Sequence, residues 1–108
     1  MADDRLPELL GVLERWGDAN VAVRVVARND DLIVVFSGRL GTRSREKGSS
    51  LFWPVEPDGG APPMLERPGI YAHPELVSEV RVHVGEFVVE FTQEGVTVNV
   101  RRLEPADP

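Results

Sequence analysis

The side chains in this sequence that could do chemistry are few, and their spacing says more than their number. The two histidines, His73 and His83, stand ten positions apart, with no carboxylate placed as in H-E-x-x-H or H-x-x-E-H, so no metal site is expected. His83 falls in an alternating run beside Arg81, where an imidazole faces solvent, and His73 precedes Pro74, where it is placed to cap a turn. The absence of cysteine removes thiolate ligands, disulfides and a thiol nucleophile together. Ser37, Ser44, Ser49, Ser50 and Ser78 lie outside any G-x-S-x-G elbow, and the acidic residues are scattered without a spacing that singles out an acid and a base. The reading leans away from an enzyme, and no cofactor is expected.

Positive charge is concentrated in one stretch, where Arg39, Arg43, Arg45 and Lys47 are opposed only by Glu46. The sharper interpretation is a contact to phosphate or RNA; the plainer one is a solvated loop whose arginines pair with acidic neighbours. Neither G-x-G-x-x-G nor G-x-x-x-x-G-K-[ST] occurs, so no phosphate-cradling loop is indicated. Phe52, Trp53, Tyr71 and His73 flank a second loop and could bring an aromatic surface beside the basic one. On a strand, however, Phe52 and Trp53 point to opposite faces, one into the core and one shielding an edge. Aromatic residues make up only 6% of the chain, which is thin for a stacking platform, and a formal charge of −6 repels polyanions on average.

The elements that must position these groups follow from periodicity. Leu6, Leu9, Leu10, Leu13 and Trp16 recur at spacings of three and four, which predicts an amphipathic helix with Asp3 or Asp4 as cap, Pro7 in the first turn and Gly17 as a left-handed stop. From Val21 the period becomes two. Val21, Val23, Val25 and Ala27 share one side and Arg24 and Arg28 the other, up to a turn at Asn29-Asp30-Asp31. The return run, residues 32–40, is apolar on both faces at first, which predicts a central strand covered by the helix, with Gly38 at a bulge or bend. Residues 41–50 read as a loop. Residues 51–55 read as an edge or abruptly ended strand because of Pro54, and residues 56–68 read as a second long loop. Residues 73–79 fit either a helical turn opened by Pro74 or a direct run into a strand. Alternation around Val80–Val84, Phe87–Phe91 and Val96–Val100 predicts three strands joined by turns at Gly85 and at Gln93-Glu94-Gly95, hence an antiparallel meander.

At 108 residues, with 42% hydrophobic and 28% charged residues, the chain fits one domain. Residues 1–103 are expected to form it, with a disordered tail over 104–108. No apolar run reaches the length of a membrane span, and the acidic start is unlike a signal peptide, so a cytoplasmic protein without a membrane partner is expected. The predicted fold is mainly β (α+β): an N-terminal amphipathic helix packed on a curled antiparallel sheet or small barrel of five to seven strands. Sm-like and some SH3-like barrels share this order of elements, but the Asp…Met-Asn and Arg-Gly signatures are missing, so no family is assigned.

Three functions are compatible with this pattern. The first is a non-catalytic binding or self-assembly module, resting on the scaffold, the two long loops and the lack of a recognisable catalytic set, and forming homo-oligomers through a strand edge or the helix. The second is a small-ligand binder or enzyme with a pocket in the mouth of the sheet, lined by Phe52, Trp53 and Tyr71 with Arg39 or His73 for polarity. The third is an RNA-contacting barrel using Arg39, Arg43, Arg45 and Lys47.

Overall fold

A computed structural model describes residues 5–45, 51–57, 68–83, 85 and 87–103. Helix α1 (Leu6–Asp18) is followed by strands β1 (Ala22–Arg28), β2 (Ile33–Leu40), β3 (Ser44–Arg45), β4 (Leu51–Pro57), β5 (Gly69–Ala72), β6 (Val77–His83), β7 (Val88–Gln93) and β8 (Val96–Arg102). Every strand pairing is antiparallel. The main path runs β3-β4-β2-β1-β8-β7-β6, with β5 added on β4. Because β3 continues β2 along the same side of β4, the architecture is a seven-strand curled half-barrel, in agreement with the expected class. No helix among the described residues is long and apolar enough to cross a membrane.

The stripe on α1 is used as its spacing predicts. Leu6, Leu9, Val12, Leu13 and Trp16 are buried in one cluster with Val80, Val82, Val89 and Phe91. The helix therefore packs on β6 and β7. The covering of β2 by the helix does not occur: Ile33 and Val35 on its outer side are 65% and 51% exposed. The apolar run in β2 has a second face because that face is a surface, a distinction that periodicity does not carry.

Two local expectations, at Gly17 and Gly38, are corrected by backbone geometry, and a third falls on residues outside the described ones. Gly17 is inside the helix; the left-handed residue that ends it is Asn20, with φ of 54°, and the amides of Asn20 and Val21 return to the carbonyls of Gly17 and Trp16. Glycine stands at 17 because a Cβ there would lie 2.4 Å from the Gly41 carbonyl oxygen. At the start of the helix, Arg5 occupies the capping position without a side-chain cap bond, and Asp3 and Asp4 lie outside the described residues. Gly38 interrupts nothing, since the β1–β2 register runs unbroken from Ala22–Arg39 to Arg28–Ile33.

The loop expected over residues 41–50 contains β3, paired to Leu51 and Phe52; residues 46–50 lie outside the described ones. Strand β4 is interior, not an edge. Leu51 and Phe52 pair with β3 on one side and with Ala72 and Tyr71 on the other. Pro54 is accommodated where β4 passes between partners: its carbonyl accepts the Gly41 amide at 2.7 Å, so the missing proline N–H leaves no break in that ladder. Of the second loop, residues 58–67 lie outside the described ones, while Glu56 and Pro57 belong to β4. Residues 74–76 form a single 3₁₀ turn before β6, which resolves the alternative left open at Pro74.

The hairpins follow their turn chemistry. Asn29 Oδ1 accepts the amides of Asp31 and Leu32 at 2.8 and 2.9 Å, an Asx arrangement that closes β1 onto β2. Glu94 and Gly95, with φ of 47° and 79°, make the two-residue connection between β7 and β8 that a tight hairpin requires.

Candidate functional site

The inner face of the half-barrel is filled unevenly. Alternation puts Val25 and Ala27 of β1, Val34 and Phe36 of β2 and Val98 and Val100 of β8 on the same side of the sheet. The row of Val25 carries Phe36 and Val100 opposite it, whereas the next row is Val34, Ala27 and Val98, whose short side chains leave space. Since α1 sits over β6 and β7, it does not fill that space. The far wall is β5, where Ile70 is buried and Tyr71 is 38% exposed. Between these walls lies a cavity of about 210 Å³. A shallower hollow of about 180 Å³ adjoins it, sharing Ala27, Val34 and Val96 and reaching Leu32 and Asn29 at the β1–β2 turn.

One buried polar side chain is built into the cavity wall. Gln93 ends β7 on the inward side, and it is buried. Its Nε2 donates to the Tyr71 carbonyl at 2.7 Å, and its Oε1 accepts the His73 amide at 2.8 Å. The amide thus pairs with β5 as a neighbouring strand would, across a seam where β5 and β6 share no ladder among the described residues. The signal for Gln93 was present in the sequence: it continues the inward series Val89, Phe91, the one polar member of an apolar face. Gln93→Ala is expected to lower stability by about 2 kcal/mol, because it strands a partly buried N–H and C=O together. Urea unfolding followed by circular dichroism measures this, and an unchanged midpoint would show that the seam does not depend on the amide.

The residues singled out in the sequence do not converge on one surface. Tyr71 lines the cavity, its ring tilted against Phe52 with centroids 4.3 Å apart. Phe52 and Trp53 are both buried, Trp53 within the main core beneath Gly17, so neither forms a stacking surface. Trp53 Nε1 has no hydrogen-bond partner among the described residues. His73 contributes its backbone: its amide binds Gln93 and its carbonyl accepts the Leu76 amide at 2.8 Å, with no side-chain cap on the turn. His83 is exposed on β6.

Arg39 donates to the Asn20 carbonyl at 3.1 Å, and Arg43 pairs with Glu14 of α1 at 3.1 Å, both side chains more than two-fifths exposed. These contacts tie the start of the basic stretch to the end of the helix. Arg45 lies in β3, and Lys47 lies outside the described residues. Among the described residues no group of three or more His, Asp or Glu side chains is placed to hold a metal ion.

Neither family models, curated proteins nor solved structures match the chain. The cavity is the feature of this fold that bears on function. Its dimensions are the first constraint. It exceeds the roughly 150 Å³ that suffices to bind a benzene ring and falls short of the roughly 300 Å³ at which pockets for larger organic ligands begin. Its chemistry is the second constraint: among the described residues, aliphatic side chains, Phe36 and Tyr71 supply most of its surface, and the Gln93 amide is already engaged on both sides.

Proposed function

We propose that this protein is a non-catalytic binding module whose inner apolar mouth, between β1, β2, β8 and β5, takes a small apolar ligand of single-ring size. The observation that carries this reading is the cavity of about 210 Å³ with an apolar lining and no unengaged amide. Affinity would come from removing ligand and wall from water, at roughly 25 cal/mol per Å² of apolar surface. Orientation would come from the exposed edge of Tyr71. Of the three functions compatible with the sequence, this one joins the binding-module reading to the pocket reading without the catalytic step. Among the described residues lining the larger cavity, Tyr71 is the one ionisable side chain.

Toluene is a suitable probe. Titrated into the protein, it is expected to shift the methyl resonances of Val25, Val34 and Val98 selectively and saturably. Ala27→Phe, which places a ring in the gap between Val34 and Val98, is expected to keep the fold and remove those shifts. Toluene that perturbs no methyl group of a folded sample would reject the reading.

A further inference from the structure

The outer side of the same three strands has a different character. Strands β1, β2 and β8 contain no Asp or Glu, although the chain carries 18 acidic and 12 basic residues. Their outward positions include Arg24 and Arg101, which stand directly opposite each other in the β1–β8 register, and Arg28, which stands between Ile33 and Thr97. All three arginines are exposed, and no ion pair engages them among the described residues. Like charges at directly opposed positions destabilise a sheet, so the Arg24–Arg101 pairing is unfavourable for this chain alone. The nearest carboxylate on the neighbouring β7 is Glu90, which pairs across from Asn99 and accepts its Nδ2 at 3.1 Å.

Between the arginines, β1 and β2 present aliphatic side chains, while Ser37, Thr97 and Asn99 make the rest of the face polar. Val35 pairs with Val26, and Ile33 pairs with Arg28; Ile33 and Val35 are among the large apolar side chains left exposed. Arginine is enriched at protein–protein contacts, and the buried centre of such a contact is more apolar than the rest of the surface. A nucleic acid fits less well, because none of the outward positions on these strands is aromatic and the chain's charge of −6 opposes a polyanion.

We propose that the outer face of β1, β2 and β8 docks an acidic polypeptide segment from another protein. Charge complementarity fixes the occupant's class, and the strand spacing fixes its pattern. Arg24, Val26 and Arg28 alternate along β1, and four residues of extended chain span roughly 13 Å. An extended segment laid along β1 therefore matches with two carboxylate residues four positions apart and an aliphatic residue midway. Its carboxylates meet Arg28 at one end and the Arg24–Arg101 pair at the other, and its aliphatic side chain meets Val26 and Val35.

The test uses a fluorescein-labelled peptide in which two glutamates four positions apart flank a central valine, with a control carrying lysine at both glutamate positions and a labelled oligouridine of similar length. The glutamate peptide is expected to bind and the lysine peptide not to bind. Arg24→Glu is expected to weaken peptide binding at least tenfold while leaving the melting temperature equal or higher, since it replaces a repulsive cross-strand pair with an attractive one. Loss of binding together with a retained or raised melting temperature separates docking from a structural role. Failure of the glutamate peptide to bind, binding that Arg24→Glu leaves unchanged, or tighter Arg24-dependent binding of oligouridine would each overturn the proposal.

Discussion

Leu13→Asp is expected to leave the domain largely unfolded at room temperature. Leu13 is fully buried on the helix face that packs on β6 and β7. Truncating a buried leucine costs about 2–5 kcal/mol, and a carboxylate in its place adds the cost of burying a charge with no partner. Against a total stability of about 5–15 kcal/mol for a small domain, that sum leaves little folded population. Leu13→Ala should retain the fold with a lowered denaturation midpoint, which separates loss of packing from the charge effect. Circular dichroism melts of both variants make the comparison, and a Leu13→Asp melting temperature equal to that of the parent would show that α1 is not part of the core.

The second large effect is expected at Gly17, where two principles give opposite signs. Alanine in a helix interior is favoured over glycine by about 1 kcal/mol, so propensity alone predicts that Gly17→Ala stabilises. The added Cβ, however, would sit 2.4 Å from the Gly41 carbonyl oxygen and 3.2 Å from its carbon, and 3.4 Å from Trp53 Cδ1. Backbone atoms cannot yield as the end of a flexible side chain can, so sterics decide and Gly17→Ala should destabilise. Gly17→Val, with two further methyl groups, should cost about 3 kcal/mol or more by overpacking. A gain in stability from Gly17→Ala would mean that the helix and the residue 41 backbone are less closely apposed than a 2.4 Å approach requires.

The parts of this fold that were legible in the sequence are those specified by local pattern. The stripe on α1, the Asn29 turn and the Glu94-Gly95 connection each rest on residues close in the chain, and each forms as its chemistry predicts. What was not legible depends on residues distant in sequence. Pro54 reads as the end of a strand until the Gly41 amide, thirteen positions earlier, is found on its carbonyl. The two apolar faces of β2 read as burial until the helix is found over β6 and β7 instead.

The candidate site divides in the same way. Tyr71 was recognisable as a pocket residue by type, but Phe52 and Trp53 were not separable from it without knowing which strands cover them. The outer arginines of β1 and β8 are dispersed along the chain, whereas the basic run near residue 43 is dense in sequence. Their proximity exists only in the register that sets Arg24 against Arg101.

That register also bears on the order of events during synthesis. The pairing of β1 with β8 joins Val23 to Arg102, so the strand at the centre of the sheet acquires its second neighbour only when residues 96–102 have been made. Before then the β1–β2 hairpin can form, but β1 presents an open edge with Val23 and Val25 uncovered, and the meander that supplies β6 and β7 to the helix is incomplete. Domains dominated by such distant pairings fold in milliseconds to seconds, slowly compared with the microseconds available to local helices and hairpins. A nascent chain of this protein therefore passes through an interval in which the β1 edge is unpaired, and the sheet closes around β1 only after β8 has been made.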